Sequence, residues 1–240
     1  MNTEILDNLY ELWTYIGKKT SKLIANDNFK SVSMVGSDWP NRIFSIATGE
    51  TKLSDVIDLC QSKVLSNIIA VPKPNGLENH PHSKLFLVQR NMALNLKTVN
   101  RSFKTNENIR QVLTKEDAIS FAKTASDAFG YKVNWNIIYL LSEDSSKVRL
   151  FIYLQDNECL GCGIVFFDSN NNAGLHMIGT IPNGRGKGIG SKMTESLLCE
   201  AKSSKSNNCV LHASQMGENI YKNFGFVPFG ELETYLILEG

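Results

Sequence analysis

The sequence predicts a mixed α/β chain in two parts, and three observations carry that reading. Apolar residues recur at helical spacing in some segments and as short strand-like runs in others, along the whole length. A polar stretch, Asn95–Asn108, interrupts the pattern near the middle. Beyond it, strands and helices alternate in a regular order. The expected organisation is a smaller N-terminal α/β domain over residues 1–104 and a second domain over residues 105–240.

In the first part, Ile5, Leu9, Leu12, Trp13, Ile16, Leu23 and Ile24 stand three and four apart and predict an amphipathic helix from Ile5 to Ile24. Strands are expected at Ser31–Gly36, Ile43–Ile46, Asn67–Val71 and Leu85–Gln89. Lys52–Val64 reads as a helix, with Leu53, Val56, Ile57, Leu59 and Cys60 as its apolar side. Asp38-Trp-Pro-Asn-Arg marks a turn, and the Pro-rich stretch Pro72–Ser83 a loop. Nothing in this half forms a glycine-rich turn or a catalytic cluster.

In the second part, Ile109–Leu113 is a short strand. Thr114 caps a helix beginning at Lys115-Glu-Asp, and Gly130 suits its end. A second helix covers Val133–Leu141. Val148–Leu154 and Leu160–Phe167 form a hairpin around Gln155-Asp-Asn-Glu, and Leu175–Ile181 is the next strand. A glycine-rich loop, a helix through Lys202, a strand Cys209–Ala213 and a helix Gln215–Phe224 follow. Phe226–Leu238 is a final strand pair or one bent strand. The order is βααβββαβαβ(β).

The charge is balanced, with 25 Lys plus Arg against 24 Asp plus Glu, so no basic excess points to nucleic acid or an anionic membrane. No stretch reaches the roughly 18 apolar residues of a membrane span. Met1–Tyr10 carries Glu4 and Asp7 and lacks the features of a secretory signal. Five scattered cysteines fit reduced thiols, and a cytoplasmic protein is expected. The oligomeric state is not legible.

Pro182-Asn-Gly-Arg-Gly-Lys-Gly-Ile-Gly190 joins a strand to a helix. Glycines at 184, 186, 188 and 190 leave backbone N–H groups bare, and the helix adds donors and a positive dipole end. That is a cradle for phosphate or pyrophosphate. Gly179 and Gly184 have Walker A spacing, but Arg185-Gly186 stands where Lys-Ser/Thr is required. A dinucleotide fingerprint started at Gly186 and Gly188 reaches Ser191 instead of glycine, and no acidic residue ends the next strand.

Arg185-Gly-Lys-Gly-Ile-Gly190 resembles the Arg/Gln-x-x-Gly-x-Gly/Ala acetyl-coenzyme A loop of the GNAT N-acetyltransferase superfamily. Downstream, Ala213-Ser-x-x-Gly217-x-x-Ile-Tyr221-x-x-x-Gly225-Phe226 resembles that superfamily's second motif. The resemblance covers about Asn106–Gly240, and the element order of the N-terminal half is similar to a degenerate second copy. It implies a GNAT-type, mostly antiparallel twisted sheet flanked by helices. It further implies acetyl-CoA as cosubstrate, no metal, and transfer of the acetyl group to a small-molecule or peptide primary amine by direct attack. Ile178 and Thr180 would line the pantetheine arm. The N–H groups of Arg185, Gly186, Lys187, Gly188, Ile189, Gly190 and Ser191 would hold the pyrophosphate, Arg185 and Lys187 adding charge. Tyr221 would protonate the leaving thiolate, its phenol with a reference pKa of about 10.

His176 precedes Ile178 by two residues on the same strand, so the two should share a face, and its ordinary pKa suits a general base. A water chain serves equally, and Glu158 is a weaker candidate. Cys159-x-x-Cys162 and Cys209-x-x-His212 have zinc-like spacing, but on strands residues three apart point to opposite faces, and buried thiols are expected instead. The alternative to an enzyme is a non-catalytic acyl-CoA-binding or regulatory protein of the same fold.

Overall fold

The computed structural model describes residues 1–47 and 50–239. Helix α1, Asn2–Lys19, buries Ile5, Leu9, Leu12, Trp13 and Ile16, with Glu4 in its first turn and Lys18 and Lys19 in its last, as the helix dipole favours. It stops five residues short of the expected end. Gly17 lets the chain fold back, since a Cβ there would lie 2.8 Å from Val32 Cγ2. Leu23–Ala25 thereby becomes strand β1. Next come β2 (Lys30–Val32), β3 (Arg42–Phe44), α2 (Glu50–Gln61), β4 (Ile68–Pro72) and β5 (Ser83–Asn95). Strand β5 runs well past the expected Gln89, because polar Asn91 is paired inside the structure rather than solvated.

After a loop come β6 (Ile109–Gln111) and α3 (Lys115–Phe129). Thr114 Oγ accepts from the Asp117 N–H while Asp117 reaches back to the Thr114 N–H, and Gly130 ends the helix at φ 76°. Thr114→Ala should therefore cost about 1 kcal/mol in urea unfolding with m unchanged; a loss indistinguishable from zero would show that the cap is idle. Then α4 (Trp135–Ser142), β7 (Val148–Gln155), β8 (Glu158–Phe167), β9 (Ala173–Thr180), a single 3-10 turn (Pro182–Gly184), α5 (Ile189–Ser203), β10 (Asn208–Ala213), α6 (Glu218–Asn223) and β11 (Val227–Ile237) complete the chain. The last of these is one strand, bent by register shifts at Pro228/Gly230 and Thr234/Tyr235.

All the strands lie in one sheet, ordered β1-β2-β3-β4-β11-β5-β10-β9-β8-β7-β6. Every neighbouring pair is antiparallel except β3 with β4 and β9 with β10. Each parallel pair is bridged by a helix, α2 in one half and α5 in the other. The position 104/105 lies in the loop between β5 and β6, yet the sheet runs across it: β5 sits between β10 and β11, and β11 pairs with β4. Each half thus lends the other a strand.

One core gathers α1, α3 and α4 with Val32, Phe44 and Ala70 from one end of the sheet and Leu150, Ile164 and Phe166 from the other. The sheet therefore curls about these three helices, which define its inner face. On the outer face, α5 packs Met193, Leu197 and Leu198 against Met92, Leu175 and Leu211, while α2 covers Ile43, Ile69 and Tyr235. No helix among the described residues is long and apolar enough to cross a membrane.

Candidate active site

The parallel strands β9 and β10 pair only at Ala173–Leu175 with Cys209–Leu211. From His176 onward, β9 has no strand partner on that edge, while His212 and Ala213 of β10 keep only β5, which pairs along the opposite edge of β10. The two strands part, and a cleft opens beside Met177–Thr180.

A bulge lies at that point. Cys162 pairs with Gly179 but Ile164 pairs with His176, so β9 carries one residue more than β8, and Met177 takes φ 50°. The extra residue reverses the alternation. Ile178 packs into the outer core beside Gly163 and α5, and Thr180 lies on the same side against Gly184 and Gly190. His176 points the other way, beneath α1, where its Nε2 meets Asn8 Oδ1 at 2.9 Å. The shared face expected for His176 and Ile178 is thus overturned, and with it the geometric case for His176 as the base. Burial holds its imidazole neutral, its pKa pushed down to about 3. Glu158 is exposed on the β7–β8 turn.

The inner mouth of the cleft is sealed by amides from α1. Asn8 Nδ2 donates to Asp168 Oδ2 at 2.9 Å, which turns its oxygen to His176 and makes His176 Nε2 the protonated nitrogen. Asn91 donates to Asn2 Oδ1 and accepts from His212 Nδ1 at 2.7 Å. Gly174 is required here, because a Cβ would collide with the Asn8 amide and the His176 ring. The sequence held a sign of this network: Asn8 is a polar residue on the apolar stripe of α1, three positions after Ile5.

On the outer side, the glycine loop follows β9 directly. Gly186 at φ 77° and Gly188 at φ 73° adopt left-handed backbone, and a Cβ at either would meet nothing within 4 Å. The crest is open. Ile189 is its buried anchor, fitting against Gly161 and Gly184. The first intrahelical bond runs from the Lys192 N–H to the Gly188 carbonyl, so the N–H groups of Ile189, Gly190 and Ser191 have no acceptor in the helix. Arg185 is exposed but folds back, donating to the carbonyls of Thr180 at 3.4 Å and Ala128 at 3.2 Å. Its guanidinium braces the loop against the end of α3. Lys187 remains exposed, and Lys192 lies over the Tyr153 ring at 5.6 Å.

The two sequence motifs meet physically. A Cβ on Gly190 would lie 3.3 Å from Ile220 Cδ1, so α6 packs against the start of α5 at a glycine. Tyr221, next on α6, stands edge-on to Phe226 at 6.0 Å and close to Gly217. Burial pushes its phenol up to about 12, which keeps it protonated at neutral pH.

The reading of Cys159 and Cys162 as opposite-facing is also corrected. Tyr153 pairs with Gly161 and Leu154 with Cys159, a bulge at Leu160 that brings both thiols to the inner core. Cys162 Sγ donates to the Met177 carbonyl at 3.5 Å, and burial raises its thiol. Among the described residues no three His, Cys, Asp or Glu side chains gather as a metal site.

Residues 146–228 match the family model of the acetyltransferase (GNAT) domain. The chain is similar to a GCN5-related N-acetyltransferase from Kribbella flavida over 97% of its own length and 96% of the other's, with TM-score 0.66 at 10% identity. It is also similar to one from Sphaerobacter thermophilus, over 81% and 71%, with TM-score 0.59 at 12% identity. No curated protein sequence matches it. At such identities the likeness is one of fold, and it extends over both halves of the chain.

Proposed function

We propose that this GNAT-fold chain is an N-acetyltransferase that moves the acetyl group of acetyl-CoA to a primary amine of a small molecule or peptide. The observation that carries the reading is the conjunction of a parted β9/β10 pair with an open cradle of N–H groups at the start of α5. The pantetheine arm lies along the free edge of β9 at Ile178 and Thr180. The pyrophosphate sits on the N–H groups from Gly186 to Ser191, where the dipole of α5 favours negative charge, the Arg185 N–H being already given to the Pro182 carbonyl. Lys187 supplies the nearby free cation, while Arg185 acts mainly by bracing the loop.

The amine attacks the thioester directly, without an acyl-enzyme. As the carbon–sulfur bond breaks, Tyr221 gives its phenolic proton to the departing thiolate. No buried thiol serves as nucleophile, since burial disfavours the thiolate of Cys162. The ammonium proton leaves through water, because His176 is walled off beneath α1. We further propose that residues 1–104 form a degenerate copy of the unit in residues 105–240. The support is the repeated parallel pair with its bridging helix, β3-α2-β4 against β9-α5-β10.

The test is coenzyme A release from acetyl-CoA in the presence of an amine panel, on wild type and Tyr221→Phe. The expected result is turnover in wild type, about 100-fold lower kcat in the variant, and unchanged acetyl-CoA affinity. Binding without turnover of any amine would favour an acyl-CoA-binding protein instead. Equal kcat in both proteins would remove Tyr221 as the acid.

A further inference from the structure

Arg42 on β3 is a cation that the mechanism does not use. Its guanidinium lies 4.8 Å from the centre of the Trp13 ring, on the inner face of the sheet. It is half-buried, and its Nε is fully enclosed with no hydrogen-bond partner. None of the ion pairs among the described residues includes it. A cation partly withdrawn from water, with an enclosed donor left unpaired and no anion beside it, carries a desolvation cost that a bound anion would offset. The walls around it are aromatic: the Tyr10 ring stands 5.9 Å from Trp13 and 5.5 Å from Phe44, and the Tyr10 hydroxyl too is buried without a partner.

The Trp13 and Phe44 walls of this corner belong to the same inner core as Cys162 and Met177 at the cleft edge. Tyr131 packs on that core, and the chain just before Arg42 is tied to the chain just after Tyr131, the Asp38 N–H donating to the Lys132 carbonyl at 2.7 Å. Cys162 in turn donates to the carbonyl of Met177, the bulge residue where β9 parts from β10. Tyr131 stacks on Phe129 at 5.6 Å, and Phe129 covers Gly179 of the free edge. An acceptor seated beside Tyr131 would reach the β9 edge on one side and the Arg42 fork on the other.

We propose that Arg42 binds a carboxylate of the acceptor, so that the amine acetylated by this chain belongs to the amino-acid class. The planar guanidinium fork matches a carboxylate in geometry, and a single negative charge balances a single cation between apolar walls. The inference rests on the transferase reading above.

The experiment compares free amino acids with their primary carboxamides as acceptors, in wild type, Arg42→Met and Arg42→Lys, with acetyl-CoA binding measured in parallel. Wild type is expected to favour the acids by roughly 10- to 100-fold in kcat/KM, mostly through KM. The amide's amine is the less basic and so more often free to attack, which makes an acid preference the harder outcome. Arg42→Met should lose the preference while keeping acetyl-CoA affinity, and Arg42→Lys should keep part of it. Equal use of acids and amides by wild type, or a preference that survives in Arg42→Met, would overturn the proposal. Should neither substituted protein fold, the wild-type comparison decides alone. A wild type that neither binds nor consumes acetyl-CoA would instead remove the transferase reading, and this one with it.

Discussion

Replacing Gly188 and Gly190 together with glutamate should abolish acetyl-CoA binding and leave the protein folded. Position 188 has left-handed backbone, so any side chain there costs about 1–2 kcal/mol, but nothing lies within 4 Å to collide with it. At 190 the neighbour is the end of a flexible side chain, Ile220 Cδ1 at 3.3 Å, which can give way. Carboxylates in the first turn of a helix also suit its dipole, which offsets part of the strain. The ligand meets the opposite situation. Two negative charges would occupy the cradle that the pyrophosphate needs, each repelling it by about 1–4 kcal/mol at contact. Affinity should fall by more than about 100-fold. Calorimetry with acetyl-CoA and a thermal melt on the same samples check both halves of the expectation. Gly188→Asn separates charge from conformation, because asparagine tolerates left-handed backbone and carries no charge; it should still bind. A glutamate variant that binds like wild type would move the pyrophosphate off this loop.

What the sequence made legible was local. Thr114 and Gly130 mark both ends of α3, since a cap needs only a side-chain oxygen at one end and a residue tolerant of positive φ at the other. The glycine loop was legible for a similar reason: Gly186 and Gly188 stand where bare backbone faces outward, and Gly184 and Gly190 where a neighbour packs too close for a side chain to sit easily. The two bulges were not. Strand reasoning assumes a strict period of two, and a bulge at Met177 or Leu160 leaves no compositional trace, since neither residue is a glycine. One unseen residue in β9 sent His176 to the wrong face in the sequence reading. One in β8 did the same for the Cys159 and Cys162 pair. The shared sheet was hidden too, because the pairing of β5 with β10 joins residues more than a hundred positions apart. Arg42 stood in a three-residue strand, too short for any periodicity to place it.

The seal beneath α1 makes the fold sensitive to acid in a defined window. His176 and His212 are held neutral, with folded pKa values lowered by burial to about 3 and about 4, and His176 is lowered further by His212 itself. Unfolded, each imidazole would titrate near its ordinary 6.5. Below that value the unfolded chain binds protons that the folded chain refuses, so stability falls as pH falls and is fully present only above it. Each histidine contributes a slope of up to about 1.4 kcal/mol per pH unit between its unfolded and folded values. Urea unfolding should therefore weaken steeply from pH 6.5 to about 4. His176→Gln, which keeps a donor for Asn8 but cannot titrate, should show a slope lower by about one histidine's share. The geometry explains why protonation cannot be accommodated in place. His176 Nε2 and His212 Nδ1 already carry the N–H groups that Asn8 and Asn91 accept, so a second proton falls on the opposite ring nitrogens, and His212 Nε2 is enclosed with no hydrogen bond formed. Relief requires α1 to lift from the cleft, so hydrogen exchange at Ile5–Leu12 should accelerate before exchange in α5. Stability that stays flat from pH 6.5 to 4.5 in wild type, or a slope unchanged in His176→Gln, would mean that these imidazoles already reach water.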